Sequence, residues 1–140
     1  MKEREYSYDA PELSRTIDFT GYFEKKGYVL IRRIEKGKRV AYYFKGGLKR
    51  EFVRVIDIDL DLYITGVYQE RDRRVKNRFT IRVPITIRLG LKPEFYDEMK
   101  GIIEEEAKEI FEEWCARNVV PYDYIESIEY SEWEVYKEKV

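Results

Sequence analysis

Two stretches of strict alternation dominate the hydropathy pattern of the chain. From Phe52 the even positions Ile56, Ile58, Leu60, Leu62 and Ile64 are apolar, with Asp57, Asp59, Asp61 and Tyr63 between them. From Phe79 the odd positions Ile81, Val83, Ile85, Ile87 and Leu89 are apolar, against Thr80, Arg82, Thr86 and Arg88. A period of two over such lengths predicts two strands, each with one face toward a core. A strand over residues 51–65 extends about 50 Å at ~3.3 Å per residue, so it either curves around a core or projects as an arm. Pro84 has no N–H to give to a ladder, which predicts an edge position or a bulge there.

Shorter signals flank this pair. Residues 16–24, with Ile17, Phe19 and Phe23, read as a strand broken at Lys26-Gly27. Residues 28–35 and 39–45 are β-branched and aromatic and join through Lys36-Gly37 as a hairpin, with Gly46-Gly47 as the next turn. After Pro93 the period changes. Phe95, Met99, Ile102, Ile103, Ala107, Ile110, Phe111 and Trp114 recur at three- and four-residue steps to about Arg117, and Asn118 and Pro121 end the pattern. Glu94, Asp97 and Glu98 sit where a helix dipole is positive. The segment from Tyr124 to Val135 alternates imperfectly and reads as a last strand with a bulge near Ser131.

The pattern predicts a single α+β domain: an antiparallel meander of about five strands with a long hairpin between the fourth and fifth, one long amphipathic helix on the sheet, and a closing strand. Residues 1–15 are polar and aperiodic and read as an N-terminal arm. Within 16–140, residues 16–92 form the meander, 93–118 the helix and 119–140 the closing segment.

Composition narrows the chemistry. Of the 140 residues, 39% are charged, yet 44% are apolar and 16% aromatic, which excludes a disordered chain. The absence of histidine removes Ser-His-Asp triads, Cys-His dyads and His-ligated zinc, and the lone Cys115 excludes an internal disulfide or a cysteine cluster. No apolar run approaches a membrane span and no leader is visible, so a cytoplasmic protein is expected. Glutamine occurs once and asparagine twice among many charges of both signs, a hyperthermophile pattern.

Charge distribution is more informative. Residues 1–92 hold 22 Lys and Arg against 13 Asp and Glu, and residues 93–140 hold 5 against 15, so the overall −1 conceals a basic and an acidic part. The basic residues crowd two predicted hairpins. Arg71, Arg73, Arg74, Lys76 and Arg78 lie at the tip of the long one, and Arg32, Arg33, Lys36, Lys38 and Arg39 lie around the earlier one, near Tyr43. A basic ribbon is thin enough to enter a groove or lie along phosphates, and a tyrosine beside arginines can stack a base. The leading expectation is therefore a non-enzymatic protein that binds DNA or RNA through these hairpins.

Two other classes remain open. One is a structural or adaptor protein whose opposite charges drive self-assembly into a homo-oligomer, with Glu105, Glu109 and Glu112 on the helix and Tyr122, Tyr124 and Trp133 after it as interface residues. The other is a metal-dependent enzyme using Asp57, Asp59 and Asp61, spaced ~7 Å apart on one strand face, although Arg82 and Arg88 on the neighbouring strand offer cross-strand ion pairs instead. No cofactor motif is present, none is expected, and Cys115 beside Trp114 reads as a small core residue.

Overall fold

The structure is a computed structural model that describes residues 1–37, 39–46 and 51–131, with Arg39 described in its backbone only. In chain order it contains β1 (Lys2–Asp9), β2 (Thr16–Asp18), α1 (Thr20–Lys25), β3 (Tyr28–Lys36), β4 (Arg39–Gly46), β5 (Glu51–Glu70), β6 (Val75–Gly90), α2 (Tyr96–Asn118) and β7 (Tyr124–Tyr130). The result is an α+β domain with a mostly antiparallel sheet and one long helix packed on it.

The β5–β6 hairpin is the spine. Its strands pair without interruption from Val55 opposite Gly90 to Glu70 opposite Val75. Each outer edge of this ribbon is shared by two shorter strands placed end to end. On β5, residues 51–56 pair with β4 and residues 62–67 with β7. On β6, residues 75–82 pair with β1 and residues 86–88 with β2. Pro84 falls in the break between β1 and β2, where the outer edge of β6 has no strand beside it, and Ser14 Oγ donates to the Pro84 carbonyl at 2.5 Å. The missing N–H is thus tolerated in an otherwise central strand.

The alternating apolar residues meet the helix. Ile58, Leu62, Ile64, Ile81, Val83 and Ile87 are buried, as are Met99, Ile103, Ala107, Ile110 and Phe111 of α2. Gly66 leaves the space in which the Phe111 ring lies, since a Cβ there would collide with it. Each of these side chains larger than alanine contributes roughly 1.5–3 kcal/mol by leaving water. Past Asn118, Val119 takes a left-handed conformation (φ 53°) and Val120 N–H bonds the Cys115 carbonyl at 3.0 Å.

Several expectations change with the structure. The arm read over residues 1–15 docks on the sheet: β1 pairs in parallel with β6, and Tyr6 stacks on Phe79 with ring centroids 5.2 Å apart. All eight β1 residues are exposed, so no hydropathy period marks the strand. The strand expected over 16–24 ends at Asp18, whose carboxylate accepts the Thr20 N–H at 2.8 Å and starts α1. Phe19 and Phe23 are four residues apart and both buried, a helical spacing that also fits alternation. The sheet is not purely a meander, because β1 and β2 run parallel to β6. In β7 the irregularity lies at Glu126, skipped between Ile125 opposite Gly66 and Ser127 opposite Thr65, while Ser131 N–H still reaches the Asp61 carbonyl at 3.0 Å. On α2, Ile102 turns outward.

Along β5 the buried parity reverses. Even positions are buried from Ile58 to Ile64, but Val53 and Val55 are buried at the start of the strand and Phe52 is exposed. Phe23, Tyr28 and Phe44 are buried at that end, and the Phe23 ring fills the space over Gly90, the residue opposite Val55. The face that carries Phe52 is therefore the open one.

Candidate nucleic-acid interface

Cross-strand register assembles this open face from β3, β4 and β5. Val29, Lys45 and Phe52 form one exposed row, Arg32, a half-buried Tyr43 and Arg54 the next, and Ile34, Ala41 and Ile56 a half-buried third, with Ile56 against the core. Residues directly opposite one another in a sheet share a face. Lys36, two residues beyond Ile34, continues it. The register shift between Leu30 and Arg32 turns Arg32 onto this side. Glu35 and Glu51 belong to the opposite side, so none of the three strands contributes a carboxylate to the open face.

Phe52 is 62% exposed there, with Lys45 Nζ 5.7 Å from its ring centroid. Arg32, Lys36, Lys45 and Arg54 make no ion pair with a described residue. The adjacent tyrosines have separate fates. Tyr43 joins the open face, whereas Tyr42 lies on the covered one, its ring 5.9 Å from the Arg33 guanidinium and 5.1 Å from that of Arg88. Arg33 also pairs with Glu35, so it does not belong to the open cluster. Lys38, the side chain of Arg39 and Trp133 lie outside the described residues.

The other basic cluster sits at the far end of the spine, about 60 Å along β5 from Phe52 at ~3.3 Å per residue. Arg71, Arg73 and Arg74 are exposed in the four-residue turn, together with Asp72, and make no ion pair with a described residue. Arg74 is left-handed (φ 52°); its N–H reaches the Arg71 carbonyl at 3.3 Å, and its own carbonyl accepts the Lys2 N–H at 3.0 Å. Lys76 and Arg78 do not join them as free cations. Arg78 bonds Glu126 at 2.8 Å and Glu3 at 3.2 Å, and Lys76 lies in the field of Glu126. The Arg78 hydrogen bond holds the Glu126 carboxyl below its usual range. The structure thus separates the two hairpins.

The aspartates of β5 are engaged across the ribbon. Asp57 takes two hydrogen bonds from Arg88, at 2.8 and 3.3 Å, Asp59 accepts from Thr86 Oγ1 at 2.7 Å, and Asp61 lies in the field of Arg82. Among the described residues no three carboxylate or thiol groups converge on a point where a metal would sit. On α2, Glu105, Glu109 and Glu112 are exposed. Tyr122 packs edge-on against Phe111 and contacts Glu112, and Tyr124 is exposed. Burial pushes the Cys115 thiol up to about 11. No described helix is long and apolar enough to cross a membrane.

Sequence reasoning missed Phe52, Lys45 and Arg54. The run Phe52-Val53-Arg54-Val55-Ile56 has apolar residues in both parities, and extending the downstream alternation back through it assigns Phe52 inward. The mixed parity itself was the available signal. The chain matches no known protein family, and no curated protein and no solved structure resembles it.

Proposed function

We propose that this is a non-enzymatic protein that binds single-stranded nucleic acid on the open face of β3, β4 and β5. The observation that carries the reading is Phe52: a large ring, 62% exposed on a sheet face whose charged residues are all cationic. Aromatic rings on a sheet stack unpaired bases while flanking arginines and lysines take the phosphates. Phe52 and Tyr43 are diagonal neighbours on adjacent strands, ~7–8 Å apart by sheet geometry, so they suit neighbouring unstacked bases. Arg32, Lys36, Lys45 and Arg54 supply the cationic surround.

Fluorescence anisotropy with a labelled 15-nucleotide oligo-dT and a duplex of the same length, at about 50 and 200 mM salt, tests the reading. Four phosphate contacts to a single strand give a log–log salt slope of about −2.8, at ~0.7 per contact. Single-strand binding with that slope is expected. No binding at the lower salt, or a preference for the duplex, refutes it.

Self-assembly is the second reading, favoured by Leu30 and Ile31, 45% and 53% exposed on the terminal strand of the sheet. Apolar residues on a sheet edge invite pairing with another chain. Sedimentation velocity of the protein alone decides it: a monomer across concentrations excludes it.

A further inference from the structure

We infer that the turn of the β5–β6 hairpin is a second phosphate-binding end, separate from the open face, and that the protein bridges two nucleic-acid segments. This rests on the reading of the open face given above. The inference comes from which cations the fold has left over. Arg15 is paired with Glu106 and Glu113, Arg78 with Glu3 and Glu126, Arg82 with Asp9, and Arg88 with Asp18 and Asp57. These four arginines are thus paired with carboxylates of the fold itself. Arg71, Arg73 and Arg74 make no ion pair with a described residue, and they stand together on an exposed turn.

The turn is held in shape. The Arg71 and Arg74 backbones are hydrogen-bonded to each other, and the first strand is anchored to the Arg74 carbonyl. Three guanidiniums presented from a fixed backbone bind phosphate oxygens with less ordering cost than the same residues on a loose loop.

What lies between the two ends decides that they act separately. The middle of β5 is flanked by β7, which carries Glu129, and by α2, whose exposed surface carries Glu105, Glu109 and Glu112. A single nucleic-acid strand running from Phe52 to the turn would pass the exposed carboxylates of α2, which repel its phosphates. Two cationic ends about 60 Å apart along the strand with an acidic waist favour one segment at each end.

The test uses the whole protein and hexathymidylate, which is too short to span both ends. Beads carrying the hexamer are mixed with protein and fluorescein-labelled hexamer at low salt. The expected result is protein-dependent capture of the labelled hexamer, passing through a maximum and falling when excess protein occupies the two hexamers separately. The R71E/R73E/R74E variant is expected to stay on the beads and capture none. Wild-type protein that binds the beads yet recruits no second hexamer overturns the bridging and leaves the open-face reading intact. Equal capture by the triple variant also overturns it, since the second site is then elsewhere or on a second copy. Failure of the wild type to bind the beads at all removes both readings.

Discussion

Replacing Phe52 with alanine separates function from stability. Only about 38% of the side chain is withdrawn from water, and full burial of a Phe is worth roughly 1.5–3 kcal/mol, so the fold loses about 0.6–1.1 kcal/mol. A base stacked on the ring contributes about 1–3 kcal/mol, which corresponds to a Kd about 5- to 150-fold weaker. The assay pairs oligo-dT anisotropy with a thermal melt of the same preparation. Tyr43→Ala gives the second member of a stacking pair, and Phe52→Trp is expected to retain or improve affinity because a larger ring still stacks. An unchanged Kd in Phe52→Ala refutes the stacking argument. So does a loss of binding that simply tracks a large fall in Tm, because the residue is then a part of the core.

Three further outcomes follow from the geometry. Gly66→Val is expected to destabilise the protein by about 1–3 kcal/mol in urea titrations, because its Cβ enters the volume of the Phe111 ring; full stability would mean that α2 does not seat there. Glu126 has its folded pKa lowered by Arg78, so its contribution is present above the unfolded value near 4.3 and is lost as pH falls through the folded value. Melting curves below about pH 4.3 should therefore fall more steeply for the wild type than for Glu126→Gln, and parallel curves would contradict the pairing. Cys115 is buried with its thiol raised to about 11, so a disulfide reagent at neutral pH should label it only at the rate of unfolding. Rapid labelling in native buffer would show that the helix end is open.

The reach of the sequence differs from element to element. Alternation from Ile56 to Ile64 and from Ile81 to Leu89 identified the long hairpin and its core face, because a sheet side chain can face only one of two ways. The helix over 93–118 was equally legible: apolar residues at Met99, Ile103, Ala107 and Ile110 repeat with its turn, and a Pro-initiated 3₁₀ turn over Pro93–Phe95 precedes it. The first strand was illegible, since an edge strand exposed on both sides needs no pattern. The start of β5 misled for the opposite reason. Val53 and Phe52 are both apolar, and which one is buried depends on α1 and β4 arriving from elsewhere in the chain.

The candidate site divides along the same line. Residue order alone determined that cations concentrate in residues 25–92 and carboxylates after residue 93, and it placed arginines at both hairpins. It did not determine which of those cations are spent. Arg78 meets Glu3 and Glu126 across 75 and 48 residues of chain, respectively, whereas Arg71, Arg73 and Arg74, beside Asp72 on the turn, make no ion pair with a described residue. Ion pairing acts over a few ångströms of space, and sequence separation carries no record of that distance. Only the tertiary structure brings Phe52, Tyr43, Arg32, Lys45 and Arg54 onto one open face, because that face is made by strand register and by the reversal of the buried side of β5.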